Sequence, residues 1–249
     1  TMHTALPLNH KFKGSFVKTI SRKILYIFQN KIINKGSDLI FVHADFFVPV
    51  LNKDYNIPIE KIKVFPQGII TGIKALSKEK AKKQLGLSGP VYLIIGNLHW
   101  DKGVDLILNQ AKEIGGTILI VSSPNPVNDR KQSKLIKYID SLQRYYKKNK
   151  LSKYVRFDIA PINDKMEKWW NYFAASDFII QAYRGGIGSG VFTHAMALKK
   201  PVISSDIPFF KEIESKYDCI KTVKDNENYS RIIKENLKPK NYKKMIEGC

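Results

Sequence analysis

The chain has 249 residues, 43% hydrophobic and 11% aromatic, enough to bury the core of one large domain or two small ones, so a disordered chain is excluded. Its 42 Lys and Arg against 22 Asp and Glu give a formal net charge of +20, and such a surface attracts anions: nucleic acid, acidic lipid or phosphorylated small molecules. The two cysteines, Cys219 and Cys249, have neither CxxC nor metal-ligand spacing; they imply no disulfide framework or zinc site and fit a reducing compartment.

The first residues, "TMHTALPL", contain no start Met and no signal-peptide pattern, so the chain is expected to be part of a longer one. "GSFVKTISRKILYIFQNKIINKG" then carries apolar residues at helical spacing among lysines, and predicts a basic amphipathic helix, or a pair, over 15–35 with Gly36 as its stop. "DLIFVHA" reads as a buried strand, "DFFVPVLNKDYN" as a short helix with a loop, and "KIKVFPQG" as a strand ending in a turn. The longest apolar runs, such as "LIFVHADFFVPVL", are broken by charge and fall short of the roughly 20 residues that span a bilayer.

From residue 90 the pattern changes. Short apolar runs ("PVYLIIG", "TILIVSS", "VRFDIA", "DFIIQA", "PVISS") alternate with amphipathic stretches ("GVDLILNQAKEI", "KLIKYIDSLQRYYKKN", "KMEKWWNYFAAS", "GVFTHAMAL", "NYSRIIKENL"). Strands that are apolar throughout, separated by helices, predict a doubly wound α/β domain with a parallel sheet covered on both faces. There is no internal repeat or low-complexity tract.

In such a sheet ligands bind outside the carboxyl ends of the strands, where loops lead into helices. "YRGGIGSG" lies there, with four glycines between Gly185 and Gly190, after a strand ending near Ala182 and before a helix starting near Val191. Free N–H groups at a helix head hold phosphate, and glycine lets the backbone approach it; the alternative is a tight turn alone. A second loop, "IIGNLHWDKGVDLILNQA", repeats the arrangement with Gly96, Lys102 and Gly103, and places the Lys102 ammonium where it could reach the same phosphates.

The segments "GNLHWDKGVDLIL" and "SDFIIQAYRGGIGSGVFTHAMALKKPVISSDIPFFKEI" resemble the glycosyltransferase group 1 family, the retaining family 4 of GT-B enzymes, and the resemblance covers nearly the whole chain. The family's G-x-L-x-x-x-K-G loop is matched by Gly96, Leu98, Lys102 and Gly103, its A-M-A-x-x-x-P-V-I-x-S-D signature by Ala195 to Asp206, and the following glutamate by Glu212. The resemblance implies a GT-B fold: residues 1–70 as the remnant of an N-terminal acceptor-side domain and linker, and 71–249 as the C-terminal Rossmann-like nucleotide-sugar domain. It also implies a histidine facing the cleft, His3, just after a strand of the first domain. Three positions depart from the family pattern. Asn97 stands where many members have an arginine on the diphosphate, leaving His99 or Arg184 to compensate, and Gly186 and His194 stand where many have two glutamates.

What the resemblance implies about chemistry is a nucleotide-diphosphate sugar as donor substrate, with no cofactor and no metal. Lys102, Gly96, Asn97 and the backbone of Gly188, Ser189, Gly190 and Val191 would hold the diphosphate. Ala160, Pro161 and Ile162 would face the base and His194 a ribose hydroxyl, His194 having a packed core histidine as its alternative. Lys102 would stabilise the leaving nucleotide, His3 would orient sugar or acceptor, and the acceptor, a glycan or lipid-linked molecule, would attack with retention. The other features have plainer readings. His10 and His43 are assigned to surface and packing, Trp169, Trp170 and Phe173 to the core rather than to base stacking, and the basic helices 15–35 and 130–150 to solvated faces or attraction to an anionic membrane. The expected location is cytoplasmic, at most peripheral on the membrane face, with no nucleic-acid partner. Two rival classes remain: a basic nucleic-acid-binding α/β protein, which would show a steep salt slope, and a sugar-nucleotide epimerase on a GT-B scaffold, which would show paired carboxylates in its cleft.

Overall fold

The computed structural model describes residues 16–123, 129–186, 188–224 and 228–249, without the side chains of 16–18 and 129–133. The chain divides into two units, Thr1–Gly68 and Ile69–Cys249.

In the first unit the basic segment forms one helix, α1 (Phe16–Gly36), followed by β1 (Ile40–Val42), a short α2 (Phe47–Pro49) running into a π-helical turn (Val50–Asp54), and β2 (Ile62–Val64). β1 and β2 pair in parallel, Ile40 beside Ile62, and Val42, Phe47, Leu51 and Ile57 are fully buried. On α1, Ile24, Leu25, Phe28 and Ile32 are exposed. Among the described residues no helix is long and apolar enough to cross a membrane.

The second unit opens with α3 (Lys78–Leu85), whose start is capped by Ser77, its Oγ accepting from the Lys80 N–H at 3.4 Å, and whose end is closed by Gly86 in the left-handed region (φ 62°). There follow β3 (Val91–Ile95), α4 (Val104–Leu108), α5 (Ala111–Ile114), β4 (Thr117–Ser122), α6 (Asp129–Lys148), β5 (Val155–Ile159), α7 (Glu167–Ala175), β6 (Phe178–Gln181), α8 (Gly190–Ala197), β7 (Val202–Ser205), α9 (Pro208–Lys216), β8 (Ile220–Val223), α10 (Tyr229–Leu237) and α11 (Pro239–Glu247). The six strands β3 to β8 form one parallel sheet in the order β5-β4-β3-β6-β7-β8.

The burial explains why these strands show no alternation in sequence. Tyr92, Ile94, Ile118, Ile120, Phe178 and Ile180 join one large core with Leu135, Ile139 and Leu142 of α6 and Ile233 of α10. Their neighbours Leu93, Leu119 and Ile179, pointing the other way, are also fully buried. Both faces of the sheet are therefore covered, as the apolar runs predict. The strand order runs from β3 to β5 on one side and from β6 to β8 on the other, and the right-handed sense usual for such connections places their helices on opposite faces.

The amino ends of the strands are tied by a buried carboxylate. Asp177, 7% exposed, sits just before β6, accepts from Lys78 Nζ, from Lys82 Nζ at 2.9 Å and from the Val91 N–H at 2.8 Å. The Tyr242 hydroxyl of α11 donates to its carbonyl at 3.2 Å. Four elements thus meet on one side chain and its backbone.

Candidate functional site

The sheet reverses its direction of winding between β3 and β6. These adjacent strands send their following loops apart, and the crevice left at their carboxyl ends is where an open α/β sheet takes ligand. Both glycine-containing loops singled out in the sequence emerge there.

The loop after β3 begins at Gly96, whose N–H donates to Val121 O at 3.1 Å, and is anchored by Leu98, which is 1% exposed. A 3-10 turn over Trp100–Lys102 leads to Gly103 in the left-handed region (φ 61°). A Cβ at Gly103 would lie 1.9 Å from Ala182 O, so the absence of a side chain is what lets this loop press against the backbone leaving β6. That approach sets Lys102 Nζ 3.9 Å from the ring centroid of Tyr183, a cation–π contact, and 3.7 Å from Asp101 Oδ2.

Arg184 latches the same two loops. Its guanidinium makes two hydrogen bonds to the Asp105 carboxylate (2.8 and 2.5 Å), donates to Trp100 O at 2.8 Å and lies 4.3 Å from the Trp100 ring centroid; its N–H donates to Asp101 O at 2.7 Å. Burial pushes the Asp105 carboxyl up, but hydrogen bonds from Arg184 and the Tyr138 hydroxyl (2.6 Å) outweigh it and hold the carboxyl below its ordinary value. The fork considered for a diphosphate is thus engaged by an ionised carboxylate.

The second loop ends at Ser189, the cap of α8. Its Oγ accepts from the Phe192 N–H (3.2 Å) and from Gln181 Nε2 (2.8 Å), and lies 3.2 Å from the Tyr183 hydroxyl. All three polar side chains of this network are buried, and burial pushes the Tyr183 phenol up to about 12, so it stays neutral. The cap starts α8 at Gly190, one residue earlier than the apolar pattern suggests, and puts the N–H groups of Gly190 and Val191 in the first turn, where a helix has no intrahelical acceptor for them.

These parts enclose a pocket of about 340 Å³ lined by Gly96, Asn97, Lys102, Tyr183, Gly188, Ser189, Gly190, Val191 and His194, with Trp169 on its wall. His194 sits edge-on to Trp169, Trp170 and Phe173, with ring centroids 5.7, 5.0 and 6.0 Å away, and its Nε2 is 3.9 Å from Asp164 Oδ2. Burial draws its pKa below 6.5, only partly countered by Asp164, so the ring is neutral at pH 7. Trp169, Trp170 and Phe173 are buried, as expected of core residues. Two of the pocket's polar atoms, Trp169 Nε1 and His194 Nδ1, are buried without a partner among the described residues. Gln181 Oε1, at the end of β6, is a third.

Other candidates lie elsewhere. Ala160 and Ile162 follow β5, two strands from β3, their N–H groups donating to Ser122 O (3.1 Å) and Ser123 Oγ (3.3 Å), with Pro161 exposed between them. They share the carboxyl edge of the sheet with the pocket without lining it. His99, half-buried, precedes the 3-10 turn and its carbonyl accepts from the Lys102 N–H at 2.9 Å. Gly186 is exposed with φ 155°, and Glu212 on α9 pairs with Lys216 at 2.8 Å. His43 makes a 3.0 Å hydrogen bond with Phe65 O. His3 and His10 lie outside the described residues.

Sequence reasoning did not find Gln181, Tyr183 or Trp169. A glutamine ending an otherwise apolar strand, "DFIIQ", was the available signal for the first.

No family model matches the chain, and no curated protein matches it. Solved structures do. A glycosyltransferase from Rickettsia africae aligns with a TM-score of 0.67 at 18% identity over 88% of this chain and 59% of that one. Anabaena HepE in complex with UDP and glucose aligns with a TM-score of 0.72 at 17% identity, over 99% and 64%. Sucrose-phosphate synthase from Thermosynechococcus elongatus aligns with a TM-score of 0.73 at 15% identity, over 98% and 60%. The chain therefore spans less than two thirds of the length of these proteins. It has the GT-B glycosyltransferase fold implied by its motifs, with the six-stranded sheet as the Rossmann-like C-terminal domain.

Proposed function

We propose that the chain belongs to a retaining glycosyltransferase that moves a sugar from a nucleotide-diphosphate donor to a glycan or lipid-linked acceptor without a metal. The observation that carries the reading is the convergence, at the β3/β6 switch point, of Lys102 with the capped head of α8 on one pocket. The N–H groups at the head of a helix and a nearby ammonium suit an anion, and their charge matches a diphosphate. HepE was solved with UDP and glucose, and the shared fold supports the same class of donor here.

In this reading the diphosphate lies against Gly188 to Val191, and Lys102 moves from the Tyr183 face to a phosphate oxygen. As the sugar–oxygen bond breaks, negative charge grows on the leaving phosphate, where preorganised N–H donors and the ammonium meet it. The acceptor hydroxyl attacks the face the nucleotide leaves and gives its proton to a phosphate oxygen, which yields retention. The base extends along the carboxyl edge towards Ala160 to Ile162. His194, neutral and unpartnered at Nδ1, is available to a ribose hydroxyl. Asn97 and His99 flank the diphosphate, and Glu212 serves as an accessory residue. Arg184 acts by holding the Lys102 loop. The exposed apolar residues and lysines of α1 favour an acceptor at an anionic membrane.

The reading is tested by titrating UDP and GDP calorimetrically. An ammonium on a phosphate oxygen contributes about 1.5–3 kcal/mol, so Lys102→Ala is expected to weaken nucleotide-diphosphate binding tenfold or more. Unchanged affinity would return Lys102 to the solvated surface.

A further inference from the structure

Three buried side chains meet at the head of α8 with one more hydrogen to donate than they have places to put it. Gln181 is 1% exposed, and Tyr183 and Ser189 are 8% exposed each. The Gln181 Nε2 amide has two hydrogens and two neighbours, Ser189 Oγ at 2.8 Å and the Tyr183 hydroxyl at 3.2 Å. Ser189 Oγ also accepts from the Phe192 N–H at 3.2 Å, so both of its lone pairs are taken. Its own hydrogen has one acceptor in the network, the Tyr183 oxygen 3.2 Å away.

The Tyr183 oxygen then accepts from Gln181 and from Ser189, and the phenolic hydrogen is left without an acceptor among the described residues. Gln181 Oε1 does not take it, being itself without a partner. Reversing the bond between the two hydroxyls would put three hydrogens on the Ser189 oxygen, one more than its lone pairs hold, so the surplus belongs to Tyr183. A buried donor left unspent is costly, and in native structures such groups are few.

Tyr183 lines the pocket together with Lys102, Ser189 and Gly190. Lys102 Nζ stands 3.9 Å from the centroid of its ring and 3.7 Å from Asp101 Oδ2, beyond hydrogen-bond length. An unspent O–H and an ammonium thus border one space, and the group that suits both is an anionic oxygen, which accepts and brings no hydrogen of its own. Resting on the diphosphate reading of this pocket, we propose that Tyr183 is a further donor-binding residue, its hydroxyl giving a hydrogen bond to a phosphate oxygen of the nucleotide beside the Lys102 ammonium. Gln181 and Ser189 fill the acceptor sites of the phenolic oxygen and so turn its hydrogen to the ligand. Burial keeps the phenol protonated at neutral pH, so the donor is always present.

The test is a calorimetric titration of UDP and GDP on the wild type, Tyr183→Phe, Ser189→Gly and the double variant. Tyr183→Phe keeps the ring under Lys102, and Ser189→Gly is the mildest removal of the cap side chain. Tyr183→Phe is expected to melt within a few degrees of the wild type and to bind nucleotide about tenfold more weakly, because a hydrogen bond to a charged oxygen is lost. The same tenfold step is expected from Ser189→Gly to the double variant, since the hydroxyl acts on the ligand and not through the cap. A step that vanishes once Ser189 is glycine would make Tyr183 a support of the cap alone. Undiminished binding by Tyr183→Phe would leave its hydrogen without a ligand. Either result overturns the proposal while the diphosphate reading stands; a wild type that binds neither UDP nor GDP would overturn both.

Discussion

Gly103→Ala is expected to lower the melting point of the chain by roughly 10 °C or more, the largest stability effect of any glycine beside the pocket. At φ 61° any side chain costs about 1–2 kcal/mol, and here the added carbon would lie 1.9 Å from Ala182 O. The obstacle is backbone, so no rotamer relieves it. Either the Lys102 loop or the segment leaving β6 must move, which adds about 1–3 kcal/mol of overpacking strain. For a chain of this length each kcal/mol shifts the melting point by about 2–4 °C. A circular-dichroism melt checks this. A variant that melts with the wild type would show that the two loops are not in contact.

The second large effect concerns Asp177. Burial pushes its carboxyl up, but hydrogen bonds from Lys78, the Val91 N–H and Lys82 hold it below the ordinary value of 3.8. A carboxyl so lowered contributes stability that is fully present above the unfolded-state value and is lost as pH falls through the folded-state value. Asp177→Asn keeps the shape but leaves two ammonium groups without their counter-charge. Breaking a buried pair costs about 3–5 kcal/mol, and the lower end applies because the Lys78 and Lys82 side chains keep 29% and 18% of their exposure and can turn to water. The variant is expected to be less stable by about that lower figure at pH 7, in urea unfolding, and the gap from wild type to begin narrowing below about pH 4, where the unfolded chain's carboxyl takes up a proton, and to go on narrowing as pH falls through the lower value of the folded Asp177. An equal gap at pH 7 and pH 3 would mean that packing, not charge, is what the substitution removes.

The fold was legible wherever burial is two-sided. "VYLII" and "TILIV" carry no charged residue, and they are strands covered on both faces. Legibility failed where burial is thin. β8, "IKTV", is an edge strand half-open at Lys221 and Thr222, and its pattern is broken there. α3, "KEKAKKQL", buries only Ala81 and Leu85, so its helical period hardly shows among the lysines. The pattern "GVDLILNQAKEI" reads as one helix but divides into α4 and α5, since Gln110 leaves helical geometry (φ −109°, ψ 7°) and its side chain accepts from the Ser230 N–H at 3.0 Å, 120 residues on.

Within the candidate site, Lys102 and the glycines around Ser189 could be picked out because their local order is the signal. The role of Arg184 could not. Its partner Asp105 is 79 residues away, and only the approach of Gly103 to Ala182 brings the pair together.

The pocket's claim to hold a diphosphate rests most directly on Gly190. Among the described residues a Cβ there meets nothing within 4 Å, and the backbone angle is not left-handed, so the fold tolerates a side chain, in contrast to Gly103. Gly190 nevertheless lines the pocket at the head of α8, where valine would fill the space over the N–H groups. Thermal melts of the wild type and Gly190→Val, each with and without saturating UDP or GDP, separate the two roles, because a ligand that binds only the folded state raises its melting point. The account predicts that the unliganded proteins melt within a few degrees of each other. Nucleotide is expected to raise the wild type alone. An equal nucleotide-induced rise in Gly190→Val would contradict it, and would make the glycine-rich loop a turn and nothing more.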